Sequence, residues 1–121
     1  MSGNQPSLSA QTLFMMFLAM NSFAALINHI DDTDETFGYW EPLHYLLYGT
    51  GMQTREYSPE FAIRTYSFIS FFYPFAWAYK YVGLTKPEIF LGVRLILGSL
   101  TAYAESRLIA SIEKVFGSAY M

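Results

Sequence analysis

The sequence has no cysteine, which excludes a disulfide framework and any thiolate metal site. Charge is scarce too: 14% of the 121 residues are charged, against roughly a quarter in an average soluble chain. Seven Lys and Arg face ten Asp and Glu, a net charge of −3. No basic stripe is available to neutralise phosphates, so nucleic acid is excluded as a partner. Strand-like alternation, internal repeats and low-complexity tracts are also missing, and helical patterning dominates.

What the chain does have is apolar and aromatic surface. Hydrophobic residues make up 53% of it, and the aromatics comprise eleven Phe, ten Tyr and two Trp. A soluble domain of this size cannot easily bury so much, so the composition points towards lipid. Residues 1–11 read as a polar tail. Residues 12–30, TLFMMFLAMNSFAALINHI, contain no Asp, Glu, Lys or Arg. About 20 helical residues cross a ~30 Å hydrocarbon core, so this run suffices for a first transmembrane helix. A signal peptide is the rival reading, but the tail lacks the basic residues that one carries.

Four carboxylates follow within five positions: Asp31, Asp32, Asp34 and Glu35. Crowded like charges disfavour joint ionisation, a condition that suits a general base near neutral pH. The bland alternative is a solvated loop that ends a helix. Asp32-Thr33-Asp34 also offers oxygen ligands of the kind Mg²⁺ or Mn²⁺ accepts, though not at EF-hand offsets. Residues 39–48 form a short amphipathic helix closed by Gly49. Their Trp and Tyr favour the headgroup level, so the helix is expected to lie in the interface.

Ser58-Pro59-Glu60 has the pattern of a helix start, a capping residue followed by proline and a carboxylate. The spacing predicts a helix continuing from there, with residues 63–82 as a possible extra span interrupted by Pro74. Thr85 and Glu88 are spaced as a capping box. They open a second transmembrane helix over 89–112, in which Arg94, Glu105 and Arg107 face a bundle interior or snorkel to the interfaces. Residues 31–88 then form one loop between two spans, and 113–121 a short terminal segment. Intramembrane charges with so few helices indicate a fragment or truncation of a larger bundle.

The stretch DETFGYWEPLHYLLYGTGMQTREYSPEFAIRTY resembles the signature of the dolichyl-phosphate-mannose-dependent α-1,2-mannosyltransferases of glycosyltransferase family 22, which act in asparagine-linked glycosylation. The likeness runs from about residue 32 to 66. It implies an all-α membrane protein, the N-terminal portion of a GT-C polytopic helical bundle, with interfacial helices in the first luminal loop. It also implies location in the endoplasmic reticulum membrane with that loop luminal. The implied reaction transfers mannose from dolichyl phosphate mannose to the lipid-linked oligosaccharide, with inversion, and needs no cofactor or metal. The implied partners are the lipid-linked donor and acceptor, the bilayer and the remaining helices of the parent enzyme. A truncated, inert membrane protein with a regulatory or partner-binding role is the alternative.

Carried over by resemblance, Asp34 is the general base, Glu35 its acidic partner and Asp32 a further acidic candidate. Tyr39, Trp40, Glu41 and Pro42 match the family's Tyr-Trp-Glu-Pro, holding the loop at the membrane and lining a substrate site with His44. Tyr57 lies in the matching Glu56-Tyr57-Ser58-Pro59 string. Arg64 is a candidate for the donor phosphate or an interfacial anchor. Two positions depart from the pattern: Gly38 stands where the family has Asn, and Arg55 where it has Trp. The first is expected to loosen the acidic loop. The second places a charge where an aromatic contact is expected.

Overall fold

The computed structural model describes residues 8–30 and 32–117, and among these it is helical, with no strand. Helix α1 spans Ala10–Ile27, where the sequence suggests 12–30. Its 18 residues extend about 27 Å, close to the thickness of a hydrocarbon core. After it come a short α2 (Thr33–Glu35), a π-helical turn (Thr36–Trp40) and α3 (Glu41–Tyr48), which run on without interruption. Arg55–Tyr57 form a 3₁₀ turn, and α4 (Ser67–Tyr81) and α5 (Lys86–Phe116) complete the order. Both α1 and α5 are long and apolar enough to cross a membrane. Helix α4, at 15 residues and about 22 Å, falls short of that core.

The chain divides into two compact units, residues 28–93 and a second that pairs 1–27 with 94–121. In the second unit, α1 meets α5 at Gly98. A Cβ there would lie 3.4 Å from the Asn21 Cβ, an ordinary van der Waals contact, so the two helices pass close at this point. Asn21 Nδ2 donates to Glu105 Oε2 at 3.2 Å, which gives a carboxylate on a long apolar helix a partner. Replacing Asn21 by Leu is therefore expected to weaken the α1–α5 pairing by about 1–2 kcal/mol. Thermal unfolding in detergent measures this, and an unchanged midpoint would count against the contact. Met15, Met20, Phe23, Leu97, Leu100 and Leu108 remain exposed, as suits faces meant for lipid or further helices.

In the unit 28–93, α3 packs on α4 through Leu43 and Leu47 against Ile69, Phe72 and Ala76. Ile89 and Val93 of α5 close this core. Gly92 lets the Tyr79 ring rest on α5, since a Cβ there would come within 2.6 Å of it. Helix α3 ends at Gly49 in a left-handed cap (φ 67°), its amide donating to the Tyr45 carbonyl at 2.8 Å. Helix α5 opens with the capping box anticipated from its sequence: Glu88 Oε2 accepts from the Thr85 amide at 2.7 Å.

The helix expected from Ser58-Pro59-Glu60 does not form. The Ser58 carbonyl accepts from the Phe61 and Ala62 amides, which closes a single turn. Ala62 then takes a positive φ of 44°, and the Arg64 amide turns back to the Glu56 carbonyl at 2.9 Å. The Arg64–Glu56 ion pair, Nε to Oε2 at 2.5 Å, secures this bend. The helix begins only at Ser67, whose amide donates to Thr65 Oγ1. Arg64 therefore sits in the bend before α4 and not within a helix.

Candidate functional site

The acidic segment is a helix start and not an open loop. Asp32 is extended (φ −106°, ψ 127°) and its Oδ1 accepts from the Asp34 amide at 2.9 Å, a side-chain cap for α2. One candidate ligand of the Asp-x-Asp pattern is thus engaged with its own backbone. Among the described residues no three Asp, Glu or His side chains converge as a metal site. Asp31, the first of the cluster, lies outside the described residues.

Asp34 and Glu35 are neighbours in sequence with different surroundings. The Asp34 side chain is exposed and takes no hydrogen bond among the described residues. Glu35 is half-buried, and its Oε1 accepts from Trp40 Nε1 at 2.9 Å. With Asn28, His29 and Asp32, Glu35 lines a recess of about 340 Å³. One carboxylate is therefore fixed by a side-chain donor and its neighbour is exposed.

The Glu35–Trp40 pairing depends on the π turn. In an α-helix, residues five apart lie about 140° apart around the axis and cannot meet. A π turn bonds i to i+5, here the Glu41 amide to the Thr36 carbonyl, and brings such residues one above the other.

Other candidates sit elsewhere on the same helix. Glu41 Oε1 accepts from the Met52 amide at 2.6 Å and folds the following loop back onto α3. Gly51 makes this possible: its φ is 122°, and a Cβ would lie 2.6 Å from Glu41 Oε1 and 3.1 Å from His44 Nδ1. Gly51→Val is expected to expel the loop and cost about 1–3 kcal/mol, visible as a lowered unfolding midpoint. His44 has a buried Nδ1 with no hydrogen-bond partner among the described residues, and its ring lies 4.7 Å from that of Tyr48. Trp40, Glu41, His44 and Tyr48 line a mainly apolar cleft of about 190 Å³ with Leu43, Leu47 and α5 residues Lys86, Ile89, Phe90 and Val93. Tyr39 is exposed and packs edge-on to Phe68 at 5.4 Å.

Tyr57 and Arg64 lie behind the π turn. Tyr57 is 6% exposed, and its hydroxyl donates to the Gly38 carbonyl at 2.7 Å. Burial pushes this hydroxyl above the ordinary 10.0, with Arg64 opposing, so it remains a donor at neutral pH. Its contribution to stability is complete below pH 10.0 and is lost as the pH rises past the raised folded value. An alkaline unfolding titration should accordingly lose part of its slope in Tyr57→Phe. Gly38 is buried in right-handed helical backbone, so it does not loosen the loop as the sequence suggests. It makes room for the Arg64 guanidinium instead, since a Cβ there would lie 2.6 Å from Nη1. Arg55 stacks over Phe61 at 4.3 Å, so its guanidinium supplies a contact with an aromatic ring.

Seven of the nine candidate residues fall in three places, while Asp34 and Tyr39 are exposed outside them. Asp32 and Glu35 share the recess, Trp40, Glu41 and His44 share the cleft, and Tyr57 and Arg64 support the turn from behind. Sequence reasoning missed Asn28 and His29 in the recess, because both read as the end of a span. It also missed Lys80 and Lys86, whose ammonium groups lie 4.3 and 4.8 Å from the Tyr48 ring centre. Only packing brings those three residues together.

Residues 12–121 match the model of the Alg9-like mannosyltransferase family. The chain is 38% identical over 113 residues to alpha-1,2-mannosyltransferase alg9 of Schizosaccharomyces pombe, covering 93% of this chain and 20% of that protein. It is 39% identical over 107 residues to the Homo sapiens ALG9 protein, covering 88% and 18% respectively. For the Saccharomyces cerevisiae ALG9 protein the identity is 36% over 106 residues, covering 87% and 19%. No solved structure matches the chain. The chain spans about a fifth of the length of these relatives. With the family model covering nearly all of it, and with its acidic turn and apolar helices in place, the chain belongs to the Alg9-like mannosyltransferase family.

Proposed function

We propose that this segment supplies the catalytic acidic turn of an α-1,2-mannosyltransferase that elongates the lipid-linked oligosaccharide of asparagine-linked glycosylation. The donor is dolichyl phosphate mannose. Asp34 takes the proton of an acceptor mannose hydroxyl as its oxygen attacks the anomeric carbon. The bond from that carbon to the phosphate oxygen breaks on the opposite face, and dolichyl phosphate leaves with the electron pair. The β-linked donor thereby yields an α linkage. The observation that carries this reading is the unequal pair: an exposed Asp34 whose side chain takes no hydrogen bond among the described residues, beside a Glu35 fixed by Trp40.

On this reading α1 and α5 are spans of a GT-C bundle in the endoplasmic reticulum membrane. The residues between them form the first luminal loop, with α3 and α4 at the interface. Exposed Phe68, Phe71, Phe75 and Trp77 on α4 suit that level. The cleft beside Trp40 and Tyr48 is smaller than the ~300 Å³ of a typical whole-ligand site. It therefore fits one stretch of apolar chain, with Lys86 at its edge. The acceptor site lies mainly on the remaining helices of the parent protein.

The test is complementation of cells that lack the enzyme. A full-length protein containing this segment is expected to restore oligosaccharide elongation, with label passing from dolichyl phosphate mannose into α-1,2-linked mannose. Transfer that proceeds only from a nucleotide sugar would overturn the donor assignment. The 121-residue chain alone is expected to insert into the membrane without restoring elongation. Rescue by it would show that the further helices are dispensable.

A further inference from the structure

Pro42 lies inside the continuous helical stretch of α2, the π turn and α3. It has no N–H, so the Gly38 carbonyl, four residues earlier, cannot receive the usual i→i+4 bond. A buried carbonyl without a partner is costly. The Tyr57 hydroxyl fills that position from a different segment, 19 residues along the chain. Tyr57 is itself held there: its ring packs against Tyr66 at 4.8 Å, and its carbonyl accepts from Gln53 Nε2 at 3.2 Å. The widened turn that results sets Trp40 over Glu35.

We infer that Tyr57 is a positioning residue for Glu35: by bonding the carbonyl that Pro42 leaves free, it holds the π turn that places Trp40 Nε1 on the Glu35 carboxylate. Its hydroxyl faces the helix backbone, so it does not act as a substrate contact. The catalytic consequence rests on the acidic-pair reading above, whereas the linkage itself does not.

The chain has two tryptophans, Trp40 and Trp77, so Trp77→Phe leaves Trp40 as the single fluorescent reporter. In phosphatidylcholine nanodiscs, Glu35→Ala in that background fixes the emission of a Trp40 without its carboxylate. Tyr57→Phe is expected to move the emission to within a few nanometres of that reference, with helix content by circular dichroism unchanged. An emission that stays at the parent value overturns the linkage. Should Tyr57→Phe lose helix content, Pro42→Ala decides. It restores an N–H to the Gly38 carbonyl, returns the turn to α geometry and is expected to give the same emission change. In the Pro42→Ala background Tyr57→Phe should add nothing, because the carbonyl is already satisfied. A Pro42→Ala chain with the parent emission overturns the proposal.

In the full-length enzyme, Tyr57→Phe should lower kcat about tenfold at unchanged KM, since a small misplacement of a catalytic group acts on the transition state and not on binding. Altered emission with unchanged kcat would leave the linkage standing and sink the role given to Glu35.

Discussion

In the full-length enzyme, Asp34→Asn is expected to abolish rescue of oligosaccharide elongation, with kcat reduced by about 10²–10⁴-fold, the contribution of a positioned general base. Asn is nearly isosteric with Asp and can still accept a hydrogen bond, but it cannot take up the proton of an attacking hydroxyl. The fold should not notice the change. Asp34 is exposed, its side chain makes no hydrogen bond among the described residues, and the bond it does contribute comes from its backbone amide to Asp32 Oδ1. Membrane insertion, expression and the unfolding midpoint should therefore match the parent while turnover is lost. KM should stay near the parent value, because the interaction removed exists only as charge develops in the transition state. Undiminished rescue would refute the base assignment and shift attention to Glu35. A variant lost through misfolding would show instead that Asp34 has a structural role absent from this geometry.

The parts of the site that were legible in the sequence are those written in short-range chemistry. The acidic cluster, the stop at Gly49 and the capping box of Thr85 with Glu88 each depend on residues no more than four apart. What the sequence hid depends on distant partners. Ser58-Pro59-Glu60 carries a correct helix-start pattern, but the Arg64–Glu56 pair and the left-handed Ala62 divert the chain after one turn. The Glu35–Trp40 bond links residues five apart, which a 3.6-residue periodicity places on different faces. It exists because Pro42 removes a donor and Tyr57 supplies one, and no local pattern joins those two positions. Gly38 shows the same limit. Read locally it is a flexible residue, whereas in the fold its lack of a side chain is space that Arg64 occupies. Gly38→Asn should therefore displace the Arg64 guanidinium and weaken its pairing with Glu56, without freeing the backbone of the turn.

The largest effect on stability is expected from Ile69→Ala, at about 2–5 kcal/mol, the range for emptying a fully buried aliphatic site. Ile69 is 2% exposed and belongs to the cluster in which Leu43 and Leu47 of α3 meet Phe72 and Ala76 of α4. The cluster is a mix of aliphatic and aromatic side chains held on packed helices, which cannot collapse fully into the space left by the lost carbons. The same cluster contains Tyr57, so the support behind the π turn and the packing beneath α3 belong to one core. The unfolding midpoint should fall by several degrees, and amides of residues 33–81 should exchange faster, while those of α1 keep their protection. Activity should decline only as the folded fraction declines. At low temperature, where the core is intact, kcat and KM should approach parent values. That temperature dependence separates Ile69→Ala from Asp34→Asn, whose loss of turnover should persist at every temperature with the fold unchanged. A loss of kcat in Ile69→Ala that survives cooling would mean that the core sets the geometry of the acidic turn as well as its stability.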